Sequence, residues 1–149
     1  MKNIFAELYQ QHKEIKSRFE AAKAQGDNAR IEQARADHHI LREGIEAKGV
    51  DFSIIYNLYE KAMDAGNEYI DICEVYQYSN EAALIANLRE YGITAFTFSS
   101  AWSSAVKSAW EFTLHGCTLQ GMVQINSGYT GYNDEPEKRS AFLFKVEEV

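Results

Sequence analysis

Twelve residues, Ile93-Thr94-Ala95-Phe96-Thr97-Phe98-Ser99-Ser100-Ala101-Trp102-Ser103-Ser104, decide which class of fold is open to this chain. β-branched and aromatic residues alternate, then run into serines. That is the pattern of a strand handing over to a helix. An amphipathic segment follows and stops at His115-Gly116. What precedes this passage reads mostly as helix, so it is the feature that places a sheet behind a helical front.

The front is set by spacing. Phe5, Leu8, His12, Ile15, Phe19 and Ala22 recur at intervals of three and four, a heptad seam that predicts a helix over 3–24. Gln25-Gly26-Asp27-Asn28 carries turn chemistry. The seam resumes over 28–48 with Ile31, Ala34, His38, Leu41 and Ile45. So short a link makes the two helices return antiparallel. Gly49 is expected to end the second, and Asp51 to cap a third over 52–65 that Gly66 closes.

Beyond it the pattern alternates. Segment 67–76 reads as a short strand. Asn80 caps a helix over 81–90 that ends at Gly92, and 93–98 is a strand. A helix over 103–114 leads to a strand over 117–125, with Leu119, Met122 and Val123 as inward candidates. A loop spans 128–137, and 141–146 is a closing strand. The fold class expected is α+β: an N-terminal antiparallel helical hairpin plus a third helix, then a β-α-β-α-β-β unit with a small mixed sheet. Helical crossovers imply parallel neighbours among the first three strands. The hairpin, 1–50, is expected as an appendage to an α/β body, 51–149.

Charge is uneven. Residues 1–50 hold nine Lys/Arg against eight Asp/Glu, and residues 51–149 hold six against fourteen, together the net −7 of the chain. An acidic body argues against direct nucleic-acid binding, which relies on Lys and Arg displacing counterions from phosphates. It suits docking on a basic protein surface. Cys73 and Cys117 form no CxxC pair and imply no disulfide framework, so buried thiols in a reducing, cytoplasmic compartment are expected. No signal peptide is visible at the start. The uncharged stretch 91–106 holds four serines and two threonines, too polar and short to span a membrane.

Four candidate sites follow. Ser99, Ser100, Ser103 and Ser104 sit where a strand meets a helix N-terminus, whose unpaired N–H groups suit an anion. The glycine spacing of a P-loop and the G-x-S-x-G of a nucleophilic serine are both absent, so capping is the plainer account. His12 and His38 fall in adjacent layers of the seam, and His39 shares a neighbouring face with Glu43. Zinc needs three or four converging ligands, so the reading is a polar layer that fixes helix register, with no metal and no cofactor. Asp71, Glu74, Glu81, Glu90 and Glu111 are scattered, and His115 suits a helix C-terminus. Trp102, Tyr129, Tyr132, Asp134 and Glu135 are the binding candidates. The last four lie in a Gly-rich segment, and tyrosine offers wide contact area at low entropic cost. Trp110, with Val106 and Leu114 one turn away on either side, is expected in the core.

The second half resembles a group of small uncharacterised proteins typical of phage and conjugative elements of gut Firmicutes. The likeness is carried by Leu88-Arg89-Glu90-Tyr91-Gly92-Ile93, Phe96-Thr97-Phe98-Ser99-Ser100 and His115-Gly116-Cys117-Thr118-Leu119-Gln120-Gly121-Met122-Val123-Gln124-Ile125-Asn126. It spans roughly residues 55–147. The resemblance carries no activity and no functional residue. It implies a mobile-element setting, in which short acidic proteins often block host or rival machinery, anti-CRISPR proteins among them. The function expected is therefore a non-enzymatic protein-binding accessory or inhibitor, with a basic protein partner. The alternative is a small α/β ligand-binding domain or enzyme using 99–104 for an anionic ligand. A third reading is a homodimer through the helical hairpin.

Overall fold

The seam of the first fifty residues folds as its spacing requires. In the computed structural model, which describes residues 3–73 and 80–148, α1 (Phe5–Gln25) and α2 (Asn28–Glu46) form an antiparallel hairpin. Ile15, Ala22, Ala34, Leu41 and Ile45 are buried along it. Gly26 turns the chain with a φ of 67°, in the left-handed region, and the Asp27 N–H reaches back to the Ala22 carbonyl at 3.0 Å. Only glycine takes that conformation without a steric penalty. Asp27 then caps α2, its carboxylate accepting the Arg30 N–H at 3.2 Å. Across the hairpin, Arg18 donates to Asp37 at 2.9 Å and holds that carboxyl below its ordinary value. The His12 and His38 rings lie 6.1 Å apart, the adjacent layers that the seam implies, and His39 meets Glu43 at 2.8 Å.

The third helix, α3 (Val50–Asp64), begins earlier than expected. The Ser53 N–H bonds to the Gly49 carbonyl, so Asp51 lies inside the first turn rather than capping it. Its charge still suits the positive end of the helix dipole. Contacts divide the chain into two units, Lys2–Tyr56 and Asn57–Val149. In the first unit, Phe5 packs edge-on to Phe52 at 5.0 Å.

The second unit carries β1 (Ile70–Ile72), α4 (Glu81–Glu90), β2 (Ala95–Phe98), α5 (Ala105–Leu114), β3 (Cys117–Thr130) and β4 (Pro136–Val146). The fold is α+β with a mixed four-stranded sheet. Of the strand expected over 67–76, Ile70–Ile72 is strand among the described residues, and residues 74–79 lie outside them. Asn80 caps α4 as expected, accepting the Ala83 N–H at 2.8 Å.

Strand order is β1-β2-β4-β3. β1 and β2 are parallel neighbours, as the crossover implies. β2 and β3 are not neighbours. β4 lies between them, antiparallel to both. The reason is the connection after β3. The segment 128–137 is not a long loop but the end of a β-hairpin, closed by a short 3-10 turn at Tyr132–Asp134. A tight hairpin delivers β4 beside β3 first and fills the place between β3 and β2.

One face of the sheet holds an aromatic cluster. Phe112 of α5 stands edge-on to Phe96, Phe98 and Phe144 at 5.2, 5.1 and 5.4 Å, and Phe96 stacks on Phe144 at 5.5 Å. Burial of each ring is worth about 1.5–3 kcal/mol. Leu84, Ile85 and Leu88 of α4 are fully buried as well. Arg89, at the end of α4, fastens two more elements. It donates to the Glu147 carbonyl and to the His115 carbonyl, both at 2.9 Å. Gly116 makes room for it. A methyl group there would collide with the guanidinium, and its φ of 89° disfavours any other residue.

The inward set of β3 differs from expectation. Leu119 and Met122 pair with Phe144 and Phe142, so they stand on the aromatic face, yet they are 49% and 63% exposed. They lie on the outermost strand, and a bulge at Gln120 shifts the register between them.

The far end of the β3–β4 hairpin is tied to the end of α3. Asn67 uses its side-chain amide as a strand would, donating to the Asn126 carbonyl and accepting the Asn126 N–H, both at 2.8 Å. The Asn126 amide donates in turn to the Ala65 carbonyl at 2.8 Å. Asn67→Ala strips the partners from the partly buried N–H and C=O of Asn126, which should cost about 1–3 kcal/mol. A lower urea midpoint with an unchanged m-value is the expected result, and an unchanged midpoint would show that this clasp does not stabilise the fold.

Candidate functional site

The serines do not gather at one helix start. α5 begins at Ala105, later than expected, and Ser104 precedes it without a side-chain capping bond. Ser103 and Ser104 are exposed in the turn before the helix. The Ser100 hydroxyl accepts the Trp102 N–H at 3.3 Å. Ser99 points elsewhere, its hydroxyl donating to the Asp71 carboxylate at 2.6 Å. An acidic side chain thus stands where Ser99 would meet an anion.

Asp71 is the most constrained carboxylate described. It sits on the sheet face opposite the aromatic cluster, where the fully buried Thr97 donates to it at 2.7 Å. Lys61, Asn67, Asn126 and Arg139 share the surrounding cavity of about 30 Å³. That is room for about one water. Burial pushes the Asp71 carboxyl above its ordinary 3.8, against the hydrogen bonds of Ser99 and Thr97 and the charges of Arg139 and Lys61. One carboxyl with two hydroxyl donors is a polar anchor between β1 and β2. Cys117 is buried too, and its thiol is pushed up to about 11, which keeps it protonated and unreactive near neutral pH.

The hairpin tip presents the other binding candidates. Tyr132 is 97% exposed, and Asp134 and Glu135 are exposed beside it. Asn133 and Asp134 both take positive φ, at 66° and 58°, a conformation that Asn and Asp tolerate better than other non-glycine residues. Tyr129 is exposed, its ring under the Lys61 ammonium at 5.7 Å.

The largest departure from expectation is Trp110. It is not in the core. Val106, Trp110 and Leu114 are 82%, 63% and 56% exposed, and Phe112 and Ser108 form the buried side of α5. Residues four apart share one helix face, so these three make an apolar ridge turned to solvent. Trp102, also exposed, lies in the turn just ahead of it. The sequence singles out Trp102 and places Trp110 in the core, so it does not show the ridge. α5 has apolar residues on both sides, and spacing alone does not say which side meets the sheet. The available signal was the excess: one ten-residue helix carries Val106, Trp110, Phe112 and Leu114, more apolar bulk than a single buried face needs.

A raised carboxyl pKa has a definite sign. The folded chain holds the Asp71 proton more tightly than the unfolded chain does. Stability from that source is complete below 3.8 and is lost as pH rises through the higher folded value. Asp71→Asn removes the loss. The unfolding free energy of the variant relative to wild type should therefore increase from about pH 4 to about pH 7 in urea titrations. A difference that stays level over this range would show that ionising Asp71 costs the fold nothing.

No helix among the described residues is long and apolar enough to cross a membrane. No curated protein matches the chain, and no solved structure does. A family model described as a domain of unknown function, DUF7698, matches residues 54–146, which takes in most of α3, the whole sheet, α4 and α5. The chain is a member of the DUF7698 family.

Proposed function

We propose that this protein is a protein-binding module without chemistry of its own, and that α5 is the element it presents. The observation that carries this reading is the solvent-facing ridge of Val106, Trp110 and Leu114. A helix that offers apolar anchors at intervals of four is the form in which helices dock into hydrophobic grooves. Tryptophan is the residue type most enriched where binding energy concentrates. A contiguous exposed apolar patch is otherwise a liability in a soluble chain. Trp102 extends the same surface, and the acidic hairpin tip with Tyr132, Asp134 and Glu135 is a second, polar contact.

The partner that fits is a protein with an apolar groove and a basic rim. Residues 51–149 carry fourteen acidic and six basic side chains, a net charge that favours a basic partner. The mobile-element setting implied by the resemblance makes an inhibitor or accessory factor the natural role, of which an anti-CRISPR is one form. The small cavity beside Asp71 and the commitment of Ser99 to that carboxylate weigh against the anionic-ligand alternative.

The test is a photo-crosslinker placed at position 110 in cells of the natural host, followed by binding measurements on the captured protein. Trp110→Glu, with an unchanged circular dichroism spectrum, should weaken binding at least about thirtyfold, as expected for loss of a hot-spot tryptophan. Ser99→Ala should leave affinity unchanged. Equal affinity of the Trp110→Glu variant and the wild type would overturn the assignment of α5.

A further inference from the structure

The helical hairpin carries a groove of its own. It runs between α1 and α2 with a volume of about 590 Å³, and all nine of its described lining residues belong to those two helices. Seam positions make its floor. Ile15 and Ala34 are buried there, and Phe19 is half-buried beside them. The rim is cationic. Lys16, Arg35 and Arg42 line it together with three histidines, and among the described residues no Asp or Glu does. The Arg35 guanidinium lies over the Phe19 ring at 5.9 Å, and Arg42 donates to His38 at 3.4 Å, so both charges are held at the groove. Glu32 reaches Arg35 at 3.1 Å from outside the lining, but both side chains are mostly exposed, and such a pair is worth little.

Length and shape point to the occupant. The lining spans residues 12–19 of α1 and 34–42 of α2, about 11–12 Å or two helical turns. A trough between two adjacent helices is filled by a third helix laid along it. A small ligand is a poorer fit, because ligand pockets enclose most of what they hold and this trough is walled by two helices alone. The base of the hairpin already shows the helical arrangement. There α3 lays Phe52 and Tyr56 against Phe5, at 5.0 and 5.8 Å, and the Arg42 guanidinium lies over the Tyr56 ring at 5.9 Å. The groove starts at that same arginine and carries the track on toward the turn at Gly26.

We propose that this groove binds an acidic amphipathic helix of a partner protein. Apolar side chains at i, i+4 and i+7 of that helix rest on Ile15, Phe19 and Ala34. Carboxylates on its two flanks meet Lys16 from α1 and Arg35 and Arg42 from α2. The aliphatic stems of these three residues widen the apolar floor. Charge selects the occupant. Residues 1–50 are net +1 and residues 51–149 net −8, so the hairpin is the part of the chain suited to an acidic partner. The groove belongs to the first unit and does not rest on the role given to α5 in the second. The two surfaces together would let one chain hold a basic and an acidic partner at once.

The test is fluorescence anisotropy of a stapled helical peptide, with leucine at i, i+4 and i+7 and glutamate on the flanks, titrated with the full chain. A twin peptide has lysine in place of every glutamate. The glutamate peptide should bind, and its twin should bind at least about tenfold more weakly. Lys16→Glu combined with Arg35→Glu, both at exposed positions, should keep the circular dichroism spectrum and weaken the glutamate peptide at least about tenfold. Lys13→Glu combined with Lys107→Glu changes the net charge equally outside the groove and should leave affinity unchanged, as should Trp110→Glu. No binding of the glutamate peptide by about 1 mM protein would overturn the proposal. So would equal binding of the two peptides, or equal loss in both double variants, which would show net charge alone at work. Sedimentation of the chain without peptide covers the other occupant. Self-association that Lys16→Glu with Arg35→Glu abolishes would give the groove to a second copy and overturn the acidic partner.

Discussion

The second unit depends on one packed cluster. Phe112 touches rings from β2 and β4 at once, and Phe96 and Phe144 stack beneath it. The cluster needs β4 next to β2, because Phe96 and Phe144 are direct partners across that pair. The sheet order follows from this. A hairpin brings β4 back along β3, and the rings draw it against β2. β3 is left outermost and β1, with three residues, ends the other side. Once Phe112 faces the sheet, the helical wheel turns Val106, Trp110 and Leu114 to solvent. The buried contact and the exposed ridge are two sides of one orientation.

The opposite face is organised by polar groups instead. Asp71 is held by hydroxyls from Thr97 and Ser99, and Asn67 and Asn126 lock the curled hairpin to the end of α3. Each pairing satisfies groups that would be costly to leave unmet.

Much of this was legible in residue patterns. The hairpin was readable because a heptad seam, a glycine turn and an aspartate cap agree with one another. Asn80 and Gly92 marked the ends of α4 for the same reason. What was not legible depends on distant partners. Which face of α5 is buried is decided by the rings of β2 and β4, and spacing within α5 is blind to them. The 128–137 segment looked like a loop because glycine, asparagine and proline dominate it. A hairpin of this kind holds Pro136 in a strand whose pairing partner is Thr130. The exposure of Leu119 and Met122 follows from strand order, which no local window contains. Ser99 was singled out for its place before a helix, and its partner, Asp71, arrives from a strand twenty-eight residues earlier.

Arg89 draws the ends of two elements to one planar group. Its Nε and Nη2 reach carbonyls at residues 147 and 115, positions far apart in the chain. A guanidinium serves both because its donors diverge in a fixed fork and its charge persists at every physiological pH. Lysine, with donors radiating from a single nitrogen, does not reproduce that geometry. The last strand is thereby moored to the helical layer by a fastening indifferent to acidity, and the backbone at residue 147 is as much a part of the architecture as any side chain in the core.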